Sequence, residues 1–150
     1  MTSLKRANKI ATAHHEGQYR RGGEPYITHP LAVAYMLRQA GFPKSFQKAA
    51  VLHDIIEDTA CTEDDLRREG FDENKVVKIV SILSKEPWES YEVYEQRVLE
   101  SYTASQVKAR DLIHNLASNP KREKVPIYLS LLTRIALKWG LEYDPELEAA

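Results

Sequence analysis

Apolar residues return every three or four positions along nearly the whole chain, a spacing that predicts helices throughout. Leu4, Ala7, Ile10, Ala11 and His14 mark one face of a first helix. Gly22-Gly23-Glu24-Pro25 interrupts the pattern and reads as a turn. Pro30 suits the first position of a second helix, which runs through Leu31, Ala34 and Leu37 to about Gly41. A third begins near Ser45 and carries Ala49, Ala50, Leu52, Ile55 and Ile56 as one continuous run. Thr62-Glu63-Asp64-Asp65 offers an N-cap with acidic first-turn residues, opening a short helix that Gly70 ends. An amphipathic segment over 74–84 follows, and Pro87-Trp88 breaks it. Further helices are expected over about 90–101, 104–118 and 123–139. No segment alternates with period two, so no sheet is expected. The pattern describes an all-α chain.

The 150 residues are enough for one domain with one core, spanning 1–150. A net charge of -1 argues against a protein built to coat nucleic acid, which carries a strong basic excess. It leaves room for a local basic patch around phosphate. The lone cysteine, Cys61, excludes an internal disulfide and a cysteine-built zinc site. No run approaches membrane-spanning length, and the start through Gly17 has no apolar leader core. A cytoplasmic setting with no membrane partner is the expectation.

Chemistry enters with the histidines, at 14, 15, 29, 53 and 114. His53-Asp54 lies inside the apolar stretch 49–56, where an ionised carboxylate is expensive to bury without compensation. Glu57 and Asp58 follow, one helical turn beyond His53 and Asp54 on a continuous helix. Four ionisable groups so crowded repel unless a cation sits among them. His29 stands at a loop-to-helix junction, where a side chain is easily aimed inward. Asp111 lies in an apolar-faced helix with Asn115 four residues on. His29, His53, Asp54 and Asp111 together offer two nitrogens and two oxygens. That set suits one divalent metal, Mn²⁺ foremost, with Fe²⁺, Ni²⁺ or Zn²⁺ as alternatives. Singly, each residue has a plainer role: a core histidine, an exposed acidic helix end, a helix N-terminal residue.

Three segments resemble the hydrolase domain of RelA/SpoT-type alarmone enzymes, an HD-type fold, and especially the small stand-alone hydrolases. The first runs from His15-Glu16-Gly17-Gln18-Tyr19-Arg20 through Gly23-Glu24-Pro25-Tyr26-Ile27-Thr28-His29-Pro30. The second is Leu52-His53-Asp54-Ile55-Ile56-Glu57-Asp58-Thr59, and the third Lys108-Ala109-Arg110-Asp111 through His114-Asn115. The resemblance covers about 3–119 and leaves a C-terminal helix at about 121–140. It implies a compact HD fold of about eight helices. His29, His53, Asp54 and Asp111 match the family's metal ligands, and Glu57 and Asp58 its water-activating acids. Arg20 and Arg21 match the basic positions around the nucleotide base, and Asn115 a nucleoside contact. Lys108 is a further source of positive charge for phosphate, with Arg122 and Lys124 more simply solvated. His14, Arg110, Leu112 and Ala117 depart from the family's pattern. They are expected to alter the phosphate and nucleoside side of the pocket.

The implied activity is metal-dependent hydrolysis of the 3′-pyrophosphate of (p)ppGpp, a small nucleotide substrate rather than a nucleic acid polymer. No Gly-rich phosphate loop or synthetase signature appears, so synthesis of the alarmone is not expected. One alternative is a phosphatase for another nucleotide, such as the 2′-phosphate of NADPH. Another is a nucleotide-sensing module without turnover, against which the Glu57-Asp58 pair speaks. The last is an interaction domain using Trp88, Tyr91 and Tyr94 as exposed aromatics.

Overall fold

The computed structural model describes residues 1–149, and among them every regular element is helical. Ser3 opens α1 (Leu4–His14), its hydroxyl accepting from the Arg6 amide. Ala7, Ile10 and Ala11 of α1 are buried, as their spacing predicts. The end of that face is not as expected: His14 is exposed, and the next residue, His15, turns inward. The helix stops at His14, so His15 leaves its periodicity.

An irregular loop leads to α2 (Thr28–Gln39), stitched by one antiparallel bridge between Tyr19 and Pro25. Gly23 closes the turn with φ near +96°, a conformation costly for any side chain with a Cβ. The helix begins two residues before Pro30, so His29 sits inside the first turn, its amide bonded to the Tyr26 carbonyl. Pro30 is tolerated there because first-turn amides have no intrahelical acceptor.

At the centre lies α3 (Lys44–Leu52), packed against α1, α2 and α8 and buried from Phe46 to Leu52. Ala49 and Ala50 let its neighbours approach closely, while Phe46 fills the space beside Phe42, Tyr102 and Tyr143. The third helix is not continuous. It breaks at His53-Asp54 and resumes as the single turn α4 (Ile55–Asp58).

Thr62 caps α5 (Glu63–Arg68) in a capping box with Asp65. A π-helical turn over Glu73–Val77 precedes α6 (Lys78–Leu83). After the Pro87-Trp88 interruption come α7 (Tyr91–Leu99) and the long α8 (Tyr102–Ala117). A 3₁₀ turn at Arg122–Lys124 leads into α9 (Val125–Trp139), and α10 (Pro145–Glu148) closes the described chain. The two elements beyond the expected eight are the single turns α4 and α10. A second apolar cluster of Leu99, Ala109, Leu112, Leu131 and Ile135 fastens α9 to α7 and α8. No helix among the described residues is long and apolar enough to cross a membrane.

Candidate metal centre and adjoining cavity

The break after α3 gives the site its shape. On a continuous helix, consecutive side chains point about 100° apart, so His53 and Asp54 would diverge. Asp54 instead takes φ -101° and ψ -2°, outside the regular helical range, and the two neighbours turn onto one spot. His53 Nε2 lies 3.0 Å from Asp54 Oδ2 and 3.3 Å from Asp111 Oδ1 of α8. His29, on the first turn of α2, brings its Nε2 to 2.7 Å from the same Asp111 oxygen. Three separate parts of the chain thus place His29, His53, Asp54 and Asp111 with donor atoms within 4.8 Å of one another.

The chemistry of this cluster fits a cation. His53 Nδ1 faces the Ala50 carbonyl at 2.6 Å, which fixes the ring proton there and leaves Nε2 as a bare acceptor. That Nε2 is buried without a hydrogen bond despite its closeness to two carboxylates. Two acceptors crowding a third have nothing to share unless positive charge stands between them. The same demand appears in the titration. Burial opposes the charged form of His53, yet Asp54 and Asp111 hold its pKa well above the ordinary imidazole range. Burial also opposes the carboxylates, but His53 brings Asp54 down to about 2, and Lys108, His29 and His53 pull Asp111 far below its usual range.

Glu57 and Asp58 stand at the exposed rim on α4. Glu57 Oε1 accepts from the Lys85 amide at 2.6 Å. Partial desolvation first, and then the Asp54 charge, push both acids above the ordinary carboxylate range. Both therefore hold a proton more readily than free carboxylates do.

Arg20, Arg21 and Asn115 converge on one cavity of about 340 Å³, shared with Tyr26, Lys121 and Lys124. Two of its walls are bonded to the cluster. Asn115 accepts from Arg20 Nη2 at 3.1 Å and donates to Asp111 Oδ1 at 3.2 Å. Tyr26 donates its hydroxyl to Asp54. Lys121, on the approach to α9, supplies charge that the motifs do not announce, and Lys124, whose plainer reading is solvation, lines the cavity beside it. A larger cavity of about 680 Å³ lies across the Tyr19–Pro25 loop and contains none of the four clustered residues.

Lys108 is not part of that cavity: its ammonium sits 2.9 Å from Asp111 Oδ2 and 5.4 Å above the Tyr94 ring. Arg122 also stays outside that cavity, whereas Lys124 lines it. The departures at positions 110 and 112 do not touch the pocket as expected. Arg110 turns away from it, bonded to Gln106 Oε1 at 2.5 Å and the Leu141 carbonyl at 2.6 Å, over the Phe42 ring. Leu112 joins the second apolar cluster. Both flank Asp111 on α8, so the helical rotation that aims Asp111 at the cluster turns them elsewhere. Trp88 and Tyr91 are exposed, but Tyr94 is buried and donates to the Leu83 carbonyl.

Tyr26 and His114 are the participants that residue reasoning passes over. Tyr26 carries a signal in hindsight, three residues before His29. His114 lies three residues after Asp111, one turn along the same helix face. Its Nδ1 is 2.7 Å from His29 Nδ1, with the rings 5.0 Å apart and 28° from parallel. Burial, then the charges of His29 and Arg20, lower its pKa.

An all-helical fold around a His/Asp cluster of this kind defines a class. Residues 7–112 match the HD domain family, and the chain belongs to it. Particular relatives carry guanosine-nucleotide names. A guanosine-3′,5′-bis(diphosphate) 3′-pyrophosphohydrolase of Haemophilus influenzae is 49% identical over 77 residues, 51% of this chain and 11% of the relative. A GTP pyrophosphokinase of Streptomyces coelicolor is 31% identical over 95% of this chain and 19% of its own length. The chain thus spans less than a fifth of the length of either relative. Among solved structures, one described as a metazoan ortholog of SpoT that hydrolyses ppGpp superposes with a TM-score of 0.73 at 20% identity, covering 97% of this chain and 89% of its own. A Listeria monocytogenes protein superposes at 0.63 with 26% identity, covering 83% of this chain and 88% of its own. The first of these likenesses speaks for the fold.

Proposed function

We propose that this protein is a metal-dependent phosphohydrolase that releases pyrophosphate from the 3′ position of (p)ppGpp, leaving GDP or GTP. The observation that carries the reading is the junction of the two halves of the site: one Asp111 carboxylate is bonded to His29 and, through Asn115, to Arg20. A nucleoside beside Arg20 therefore has its ribose phosphates next to the four-residue cluster. The names of the relatives favour a guanosine nucleotide.

In this reading His29, His53, Asp54 and Asp111 hold one divalent cation, with Mn²⁺ the best match to two nitrogens and two oxygens. A cation there acidifies water and neutralises developing phosphate charge. Glu57 and Asp58 orient the attacking water and take its proton as its oxygen bonds to the phosphorus attached at O3′. The P–O3′ bond breaks, O3′ takes up a proton, and pyrophosphate departs. Arg20 stacks its planar guanidinium on the base with Arg21 beside it, Asn115 fixes the nucleoside, and Lys121 and Lys124 face the 5′-phosphates. Tyr26 holds Asp54 in place from the loop side. Lys108 neutralises the outer oxygen of Asp111 rather than phosphate. A single domain in a cytoplasmic setting, where nucleotide pools lie, goes with this function.

A screen of purified protein with Mn²⁺ over ppGpp, NADPH and common nucleotides tests the reading. The expected order puts ppGpp first. Faster turnover of NADPH or of a nucleoside monophosphate would overturn the substrate while leaving the metal cluster standing.

A further inference from the structure

His114 touches the cluster without belonging to it. A neutral imidazole offers one lone pair, so a histidine that presents Nε2 to a cation must carry its proton on Nδ1 and needs an acceptor there. His53 has one built into its own helix, the Ala50 carbonyl, which only accepts. His29 has no carbonyl at that place. Its Nδ1 meets Nδ1 of His114 at 2.7 Å, a distance at which the two nitrogens share one proton. His29 Nε2 also lies 2.7 Å from Asp111 Oδ1, where a proton on Nε2 has a carboxylate to bind. The His29 ring thus has two competing tautomers, and only the one with its proton toward His114 leaves Nε2 bare.

We propose that His114 is a positioning residue: its Nδ1 lone pair holds the His29 proton on Nδ1 and thereby sets the affinity of the cluster for a divalent cation. The proposal rests on the metal reading above. The near-parallel rings keep the His29 plane fixed as well as its tautomer. The Ser118 hydroxyl, bonded to the His114 carbonyl at 2.6 Å, ties down that end of α8. One helix then carries Asp111, its neighbour's orienter and the nucleoside contact Asn115, within one turn of one face.

Zn²⁺, diamagnetic and suited to the same donors, is the probe. Its affinity is measured against a chelating indicator, and imidazole ¹⁵N shifts report the His29 tautomer, for the unaltered protein, His114→Leu, His114→Asn and Asp54→Ala. His114→Leu keeps the bulk but loses the acceptor, so affinity should fall roughly 10–100-fold and the His29 tautomers should mix. His114→Asn places a carboxamide oxygen near the lost Nδ1 and should recover most of the affinity, a rescue that a packing role alone would not give. Thermal unfolding of the metal-free variants checks that they fold. Unchanged Zn²⁺ affinity in His114→Leu, or equal weakness of the Asn and Leu variants, would overturn the role of His114. If Asp54→Ala still loses the ion in that case, the ligand assignment stands alone. Failure of the unaltered protein to bind Zn²⁺ at all would overturn both.

Discussion

Single side chains decide the chemistry, because each of the four clustered residues leaves its partners uncompensated when removed. Asp54→Ala deletes one oxygen and the acceptor of Tyr26. Elemental analysis of that variant, purified without chelator, should show loss of the near-stoichiometric metal expected of the unaltered protein. Full retention would remove Asp54 from the ligand set. Glu57→Gln and Asp58→Asn keep the shape of α4 and every clustered donor while removing a proton acceptor. Each should retain metal and fold but lose on the order of 10²–10⁴-fold in rate if it is the general base. If neither slows turnover more than a few-fold, the water is activated without them. Arg20→Ala removes the proposed platform for the base, and kcat/KM should fall roughly 5- to 150-fold, the equivalent of a lost stacking contact of about 1–3 kcal/mol.

At the scale of elements, the breaks matter as much as the helices. Periodicity reads α1, α7 and α8 well because their apolar faces meet the core at regular spacing, and capping residues read α5. The same periodicity runs unbroken through 49–56 and hides the interruption at His53-Asp54, since the apolar residues on both sides still reach the core. The break is set by tertiary demand: two adjacent polar side chains must face one point. Spacing also puts His14 at the end of the buried face of α1, but the helix ends there and it is His15, outside the helical repeat, that is buried. The His29, His53, Asp54 and Asp111 set was legible from charge crowding and from the family's motifs. Tyr26 and His114 were not: each stands three residues from a clustered residue, but a tyrosine in a loop and a histidine on an amphipathic helix have commoner roles than bonding to such a cluster. Capping is the element-scale feature most open to test. Thr62→Ala removes the hydroxyl that accepts from the Asp65 amide, and should cost about 1 kcal/mol in chemical denaturation. No measurable loss would mean that packing of Leu66 alone holds α5.

For the molecule as a whole, the two apolar clusters divide the labour. The larger one, centred on α3, fixes α1 and α2 and so the positions of His29 and His53. The smaller one seats α9 against α8, and with it the segment from which Lys121 and Lys124 reach the cavity beside the cluster. A chain with net charge -1 thereby gathers Arg20, Arg21, Lys121 and Lys124 around a single cavity beside an acidic cluster. That polarity suits a phosphorylated nucleoside whose phosphates reach toward a cation. The most direct test is the fate of the water oxygen. ppGpp is incubated with the protein and Mn²⁺ in H₂¹⁸O, and the products are separated and weighed by mass spectrometry. The account predicts GDP without label and pyrophosphate carrying one ¹⁸O, with neither product formed in the presence of chelator or by Asp54→Ala. Inorganic phosphate in place of pyrophosphate, label in GDP, or undiminished turnover without metal would contradict it.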